Sequence, residues 1–284
     1  MYEEMGLWGP FGSDKRMPSA GQISRQINVS YYGSPPRTTR PLASRRWLGG
    51  TWIDSAGLLY ACIFSGGIFT WTLLTPVAAG STTPARVQVA HTGSTDPSSI
   101  TATWGATTTA GNLLVAALAF DTASPSTPSG WTLALSKPGT NITTNLYCKA
   151  NAAAQASQVF SLGGASNSSA VVVAEYRNIA LVSPLDQTAS ASGNSAAPAT
   201  GTTSTTTQAH ELLIGALGNN PSGANTFSAP TNSFAIADQF TEPINSNASV
   251  ALLDLVVTTT GTYTTGATAA NKQWAGLIAT FKAA

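Results

Sequence analysis

The feature that most constrains this chain is the stretch Gly111 to Phe120, GNLLVAALAF, because it occurs twice. It holds eight consecutive apolar residues, with a turn before them and Asp121 after. A run that short and that apolar is a strand buried on both faces or a short core helix. Its flanks decide for strand: TTTAG at Thr107 to Gly111 and a Ser/Pro/Gly cluster from Ser124 to Gly130 are loop chemistry. The stretch returns as HELLIGALG, His210 to Gly218, with Leu113 and Leu212 99 positions apart. The segments C-terminal to each copy return as well. The first copy continues GWTLAL, NLYCKANA, QVFSLGG and AVVVAEYRNI; the second continues NSFAIAD, VALLDLVV, GTYTTG and WAGLIATFKA. Tyr176 and Phe281 are 105 apart, so the drift amounts to loop length. Two copies are too few for a solenoid. They suit two five-strand halves of one β-sandwich, because either half alone would leave an apolar face wet.

Ahead of this body the composition changes. Residues 1–46 carry seven of the chain's 13 basic residues against Glu3, Glu4 and Asp14, with five prolines among them. Proline at that density prevents helix and interrupts strand ladders. Aromatic and arginine side chains on an extended arm gain most by lying on a partner. The expected assembly contacts are Trp8, Phe11, Arg16, Arg25, Tyr31, Tyr32, Arg37, Arg40, Arg45 and Arg46. The basic residues are dispersed, which weighs against a nucleic-acid arm.

Residues 47–80 are uncharged from Ala56 onward, long enough in principle for a membrane span of about 20 residues. Ser65-Gly66-Gly67 breaks the run, Thr70 and Thr72 alternate with apolar residues, and Asp54 to Gly57 has hairpin-turn chemistry. The expectation is a small β-meander and no span. Residues 81–284 then form the sandwich, with halves at about 105–182 and 205–284. The Thr/Ser/Ala/Gly stretch at 183–208 is a crossover between them or an extended edge strand, and the partly paired crossover is preferred. The fold class is therefore all-β: an arm, a meander, and a two-layer antiparallel sandwich made of two similar halves.

Gly50, Trp52, Asp54, Tyr60, Cys62 and Trp71 together resemble a short β-element of tailed-bacteriophage structural proteins. The run GNLLVAALAF…GWTLAL…AVVVAEYRNI, closing on Tyr176 and Ile179, is similar to jelly-roll-like β-sandwich domains of phage minor tail, fibre and head-decoration proteins. The resemblance covers about 25 and about 100 residues and carries no catalytic residue. It implies a virion protein whose partners are copies of itself and other virion proteins. It would be assembled in the bacterial cytoplasm and then lie outside the cell.

The charged fraction is 9%, against about 25% in ordinary globular proteins, and the net charge is +1. So little self-repulsion permits close packing of copies and directs the chain at neither nucleic acid nor membrane. Cys62 and Cys148 sit in strand-like runs and are expected as buried free thiols. His91 and His210 stand alone, the second where Asn112 opens the first copy. No H-x-x-x-H, G-x-S-x-G or P-loop appears, and Asp121, Asp238 and Asp254 lack calcium-loop spacing. No catalytic residue, metal or cofactor is expected. The alternative to a virion structural role is a carbohydrate-binding or adhesin module attaching to a host-surface glycan. Trp131, Asn225, Phe227 and Asn232 would be its binding groups, unless Trp131 plugs the edge of the core.

Overall fold

Each copy of the repeated run lies at the centre of a five-stranded antiparallel sheet in the computed structural model of the chain. It describes residues 51–53, 59–65, 68–73 and 83–284, the last apart from 96–97, 123–124, 165–167, 221–222, 224 and 243–247. Residues 1–80 and 81–284 are separate units. In the first, β1 (Thr51–Ile53), β2 (Leu59–Ser65) and β3 (Ile68–Leu73) form an antiparallel sheet in that order. Buried Cys62 pairs with Trp71 across it. The turn expected at Asp54 to Gly57 and the arm at 1–46 lie outside the described residues.

In the second unit the strands are β4 (Ala85–Ser94), β5 (Ser99–Thr103), β6 (Leu113–Phe120), β7 (Thr132–Pro138), β8 (Thr143–Lys149), β9 (Ser157–Ser161) and β10 (Ser169–Arg177) in the first copy. The second copy holds β11 (Leu185–Ser195), β12 (Glu211–Asn219), β13 (Ala235–Thr241), β14 (Ser249–Val257) and β15 (Lys272–Lys282). One sheet runs β4-β10-β6-β8-β7 and the other β11-β15-β12-β14-β13. The two orders match strand for strand. The registers match too: Tyr176 pairs with Leu113 in one sheet, and Phe281 with Leu212 in the other.

This extends the duplication and corrects its boundaries. The first copy opens at β4, ahead of residue 105, and the second at β11, ahead of residue 205. The stretch 183–208 is not a crossover for its first half: Leu185–Ser195 is a full edge strand paired along β15. In the first copy the chain leaves the large sheet for the small β5–β9 pair twice.

The sheets stack face to face, β4 over β13, β10 over β14, β6 over β12, β8 over β15 and β7 over β11. An approximate two-fold axis between β6 and β12 relates them, so the body has the arrangement of an isologous dimer within one chain. Side chains alternate along a strand. Leu113, Val115, Ala117 and Ala119 therefore meet Leu212, Ile214 and Ala216 in one shared core. The opposite face of β6, with Leu114, Ala116, Leu118 and Phe120, is covered by Trp104, Trp131, Phe160 and Leu162. Leu213 and Leu217 are covered in the same way by Phe227, Phe234 and Ala267. A strand covered on both faces must be apolar at every position, which is why LLVAALAF shows no alternation.

The axis passes close to the equivalent residues Ala119 and Gly218. A Cβ on Gly218 would overlap the Thr144 hydroxyl and sit 3.2 Å from the Ala119 Cβ. Thr144 Oγ1 also donates across the seam to the Ala275 carbonyl at 3.0 Å.

The cover over the second sheet is a strap at 199–208. Thr200, Thr203 and Thr206, all buried, donate their N–H groups to the carbonyls of Thr265, Tyr263 and Gly261 at 2.9 Å. Their hydroxyl oxygens accept the N–H groups of the same three residues at 3.0, 2.9 and 3.3 Å. A three-residue repeat thus faces a two-residue one, and the hydroxyls replace the acceptors that a strand ladder would supply. GTYTTG is accordingly part of this cover and not a strand of the main sheet. Thr108 makes the same pair with Gln155 in the first copy, at 3.0 and 2.9 Å. Thr203→Val keeps the shape and strands the Tyr263 N–H. It should cost about 1–3 kcal/mol in urea unfolding, the usual penalty for a buried donor left unpaired.

Candidate functional site

Two equivalent polar clusters lie where the central strands begin, on the outer faces of the sheets. In the first copy the centre is Glu175, a charge in the middle of the apolar run AVVVAEYR and fully buried. Gln88 on β4 donates Nε2 to its Oε2 at 2.7 Å. The Thr109 N–H and the Asn112 Nδ2 donate to Oε1 at 2.7 and 2.5 Å. Gln88 also exchanges bonds with the main chain of Ala106, donating at 3.0 Å and accepting at 3.1 Å. Burial alone would raise the Glu175 carboxyl. The donors from Gln88, Thr109 and Asn112 outweigh it and hold the group below its usual range. The carboxylate thus ties β4, β10 and the entry to β6 together.

The second copy rearranges the same positions. The strand registers set Glu211 where Asn112 stands, Thr280 where Glu175 stands, and Gln187 where Gln88 stands. His210 therefore lies one residue outside the Asn112 position, level with Gly111, and is exposed. A second carboxylate joins the cluster at Asp186 on β11. Thr207 donates its N–H to Oδ2 and its hydroxyl to Oδ1 of Asp186, both at 2.6 Å. Lys282 Nζ lies 3.5 Å from Oδ1. Burial would raise Asp186, but the Thr207 donors, Glu211 and the Lys282 charge leave it below the ordinary range.

Glu211 is fully buried and neither of its oxygens has a hydrogen-bond partner. Thr280 and Asp186 flank it without reaching full bonding geometry. Thr280 Oγ1 instead accepts the Gln187 N–H at 3.1 Å. Burial, reinforced by the Asp186 charge and only partly offset by Thr280 and Lys282, pushes the Glu211 carboxyl up to about 7.

Two further polar contacts join the sheets. Asp254 accepts from Arg86 and from the Tyr176 hydroxyl, each at 2.8 Å, and burial with the Asp254 charge drives the Tyr176 phenol well up. His91 on β4 meets Asp238 on β13 at 2.9 Å and stacks on Phe240 at 4.8 Å. The carboxylates considered for calcium are thus taken up by protein partners. Asp121 likewise accepts the N–H groups of Thr122 and Ser168 at 2.6 and 3.2 Å. Among the described residues no cluster of three or more His, Cys, Asp or Glu could hold a metal ion.

The residues proposed from sequence fall elsewhere. All ten arm residues lie outside the described part of the chain. Trp131 is 6% exposed, packs edge-on against Phe160 at 5.7 Å, and donates Nε1 to Gln158 at 2.8 Å. It plugs the core edge beside Gly130, whose φ of 76° closes the turn from Pro128. Phe227 is 1% exposed and belongs to the outer core of the second sheet. Asn225 engages both amide atoms, on Ser249 and on the Ala270 N–H at 2.9 Å each, and Asn232 donates to the Thr264 carbonyl at 2.9 Å. The four do not form a sugar platform: the two aromatics are covered and the two amides brace loops. Asn225 does border a shallow hollow with Thr226, Gln239, Phe240 and Thr241.

Cys62 and Cys148 are both buried, and burial lifts Cys148 to about 11. Among the described residues no helix is long and apolar enough to cross a membrane.

The class these features define is a duplicated, two-sheet β-sandwich with an outer cover on each sheet. Compared with known proteins, the chain matches no family model, no curated sequence and no solved structure.

Proposed function

We propose that the chain is a non-enzymatic virion structural protein that docks on a phage head or tail through its N-terminal arm and displays the sandwich on the particle surface. The observation that carries this reading is the closure of the body at 81–284. Its inner faces cover each other, and its outer faces are covered from within the same copy. Its buried Glu175 serves internal bonding, with three donors. A body of that kind needs no partner to complete its core, and attachment then falls to the basic, aromatic segment ahead of it. The resemblance of Gly50 to Trp71 and of the Gly111 to Ile179 run to phage structural proteins points the same way.

Multivalent contact among copies, each weak, suits a chain of net charge +1. The test compares the full chain with residues 81–284 by sedimentation and electron microscopy. The full chain should form symmetric oligomers, and the body alone should stay folded and monomeric. A monomeric full chain, or a body that associates as well as the full chain, would overturn the reading.

A further inference from the structure

We infer that Glu211 and Asp186 share a single proton in the folded protein, and that this proton latches the strap at 199–208 and the edge strand β11 onto the second sheet. The donor and acceptor roles lead to it. Both Asp186 oxygens accept from Thr207, and Lys282 stands beside one of them, so Asp186 carries no proton. The Glu211 oxygens have no donor, in a place without solvent. An ionised Glu211 would set a second buried negative charge beside the first, with one partly exposed lysine to serve both. Protonated, Glu211 becomes a donor, and Asp186 is the acceptor beside it.

Each packed element brings its own groups to this pair. β15 brings Thr280 and Lys282, β11 brings Asp186, and the strap brings Thr207. β14 brings uncharged Val257 opposite Glu211. Asp254 further along β14 is held by Arg86 and Tyr176. The Lys282 ammonium stands beside the pair, and among the described residues no group of three or more His, Cys, Asp or Glu could hold a metal ion. The first copy is the internal control. There a single carboxylate, Glu175, sits among amide and main-chain donors and needs no proton.

The raised Glu211 sets the direction of the pH effect. Its carboxyl moves from 4.5 to about 7, so its contribution is complete below about 4.5 and is lost as pH rises to about 7. Asp186 is lowered from 3.8, so its own window lies in more acid solution and does not overlap. The folding equilibrium of the latch should weaken about tenfold per pH unit between about 5 and 7, then level off.

The test is a carbon-13 NMR titration of the full chain labelled in its five glutamates, from pH 4 to 9. One carboxyl should titrate near 7, and that signal should vanish in Glu211→Gln. Hydrogen exchange of 185–208, corrected for intrinsic rates, should lose protection over the same interval in the parent and not in Glu211→Gln. Five glutamates that all titrate below pH 5.5 would sink the proposal, whether or not the variant folds. So would a signal near 7 that survives Glu211→Gln.

Discussion

Glu175→Ala is expected to destabilise the protein by about 3–5 kcal/mol, the range for removing one member of a buried charged network. The loss comes from the groups left behind. Gln88 Nε2, the Thr109 N–H and the Asn112 amide would all face a cavity, and an unpaired buried donor costs about 1–3 kcal/mol. Guanidinium unfolding followed by far-UV circular dichroism measures it. Glu175→Gln should cost less, since one acceptor oxygen remains, although its new NH2 must face Asn112 or Gln88. Acid should mimic the alanine variant. Glu175 is lowered, so its contribution is present above the ordinary glutamate value of 4.5 and lost as pH falls through the folded value. A midpoint for Glu175→Ala within experimental error of the parent would show that the clasp adds nothing.

Gly218→Val should cost about 3 kcal/mol, at the upper end for overpacking a close-packed core. Gly218 lies on the seam near the two-fold axis, where the Thr144 hydroxyl and the Ala119 methyl already occupy the space. Thr144→Ala removes that hydroxyl and also the 3.0 Å bond to Ala275. A double-mutant cycle separates the two effects. Gly218→Ala should be at least about 1 kcal/mol less costly on the Thr144→Ala background than on the parent. Strict additivity would mean that the seam is looser than the described packing.

These positions also mark where the sequence was readable. The duplication was legible because both faces of β6 and β12 are covered, which forces LLVAALAF and LLIGAL to be apolar throughout. At β11 the sequence left an extended edge strand and a partly paired crossover both open and favoured the crossover. LDQTASASGNS lies at a sheet edge, its burial is partial, and its small polar residues look like linker. The strap was hidden for a similar reason: its threonines repeat every third residue and bond through side chains, a pattern that belongs to neither helix nor strand. The polar clusters depend on register, because Asn112 and Glu175 are 63 positions apart and meet only when β6 pairs with β10. One signal was visible, a glutamate interrupting AVVVAEYR. The buried Trp131 and Phe227 show the opposite error. Loop chemistry around an aromatic residue says where the backbone turns and leaves open which way the ring points.

The two-fold arrangement within one chain has a consequence for divergence. In a dimer of identical subunits every substitution is made on both sides of the axis at once, so a change tolerable in one setting must be tolerable in two. Joined through the short link at 178–184, the halves are free of that constraint. One holds a single carboxylate bonded by amide and main-chain donors, while its counterpart holds an acid pair that answers to protons.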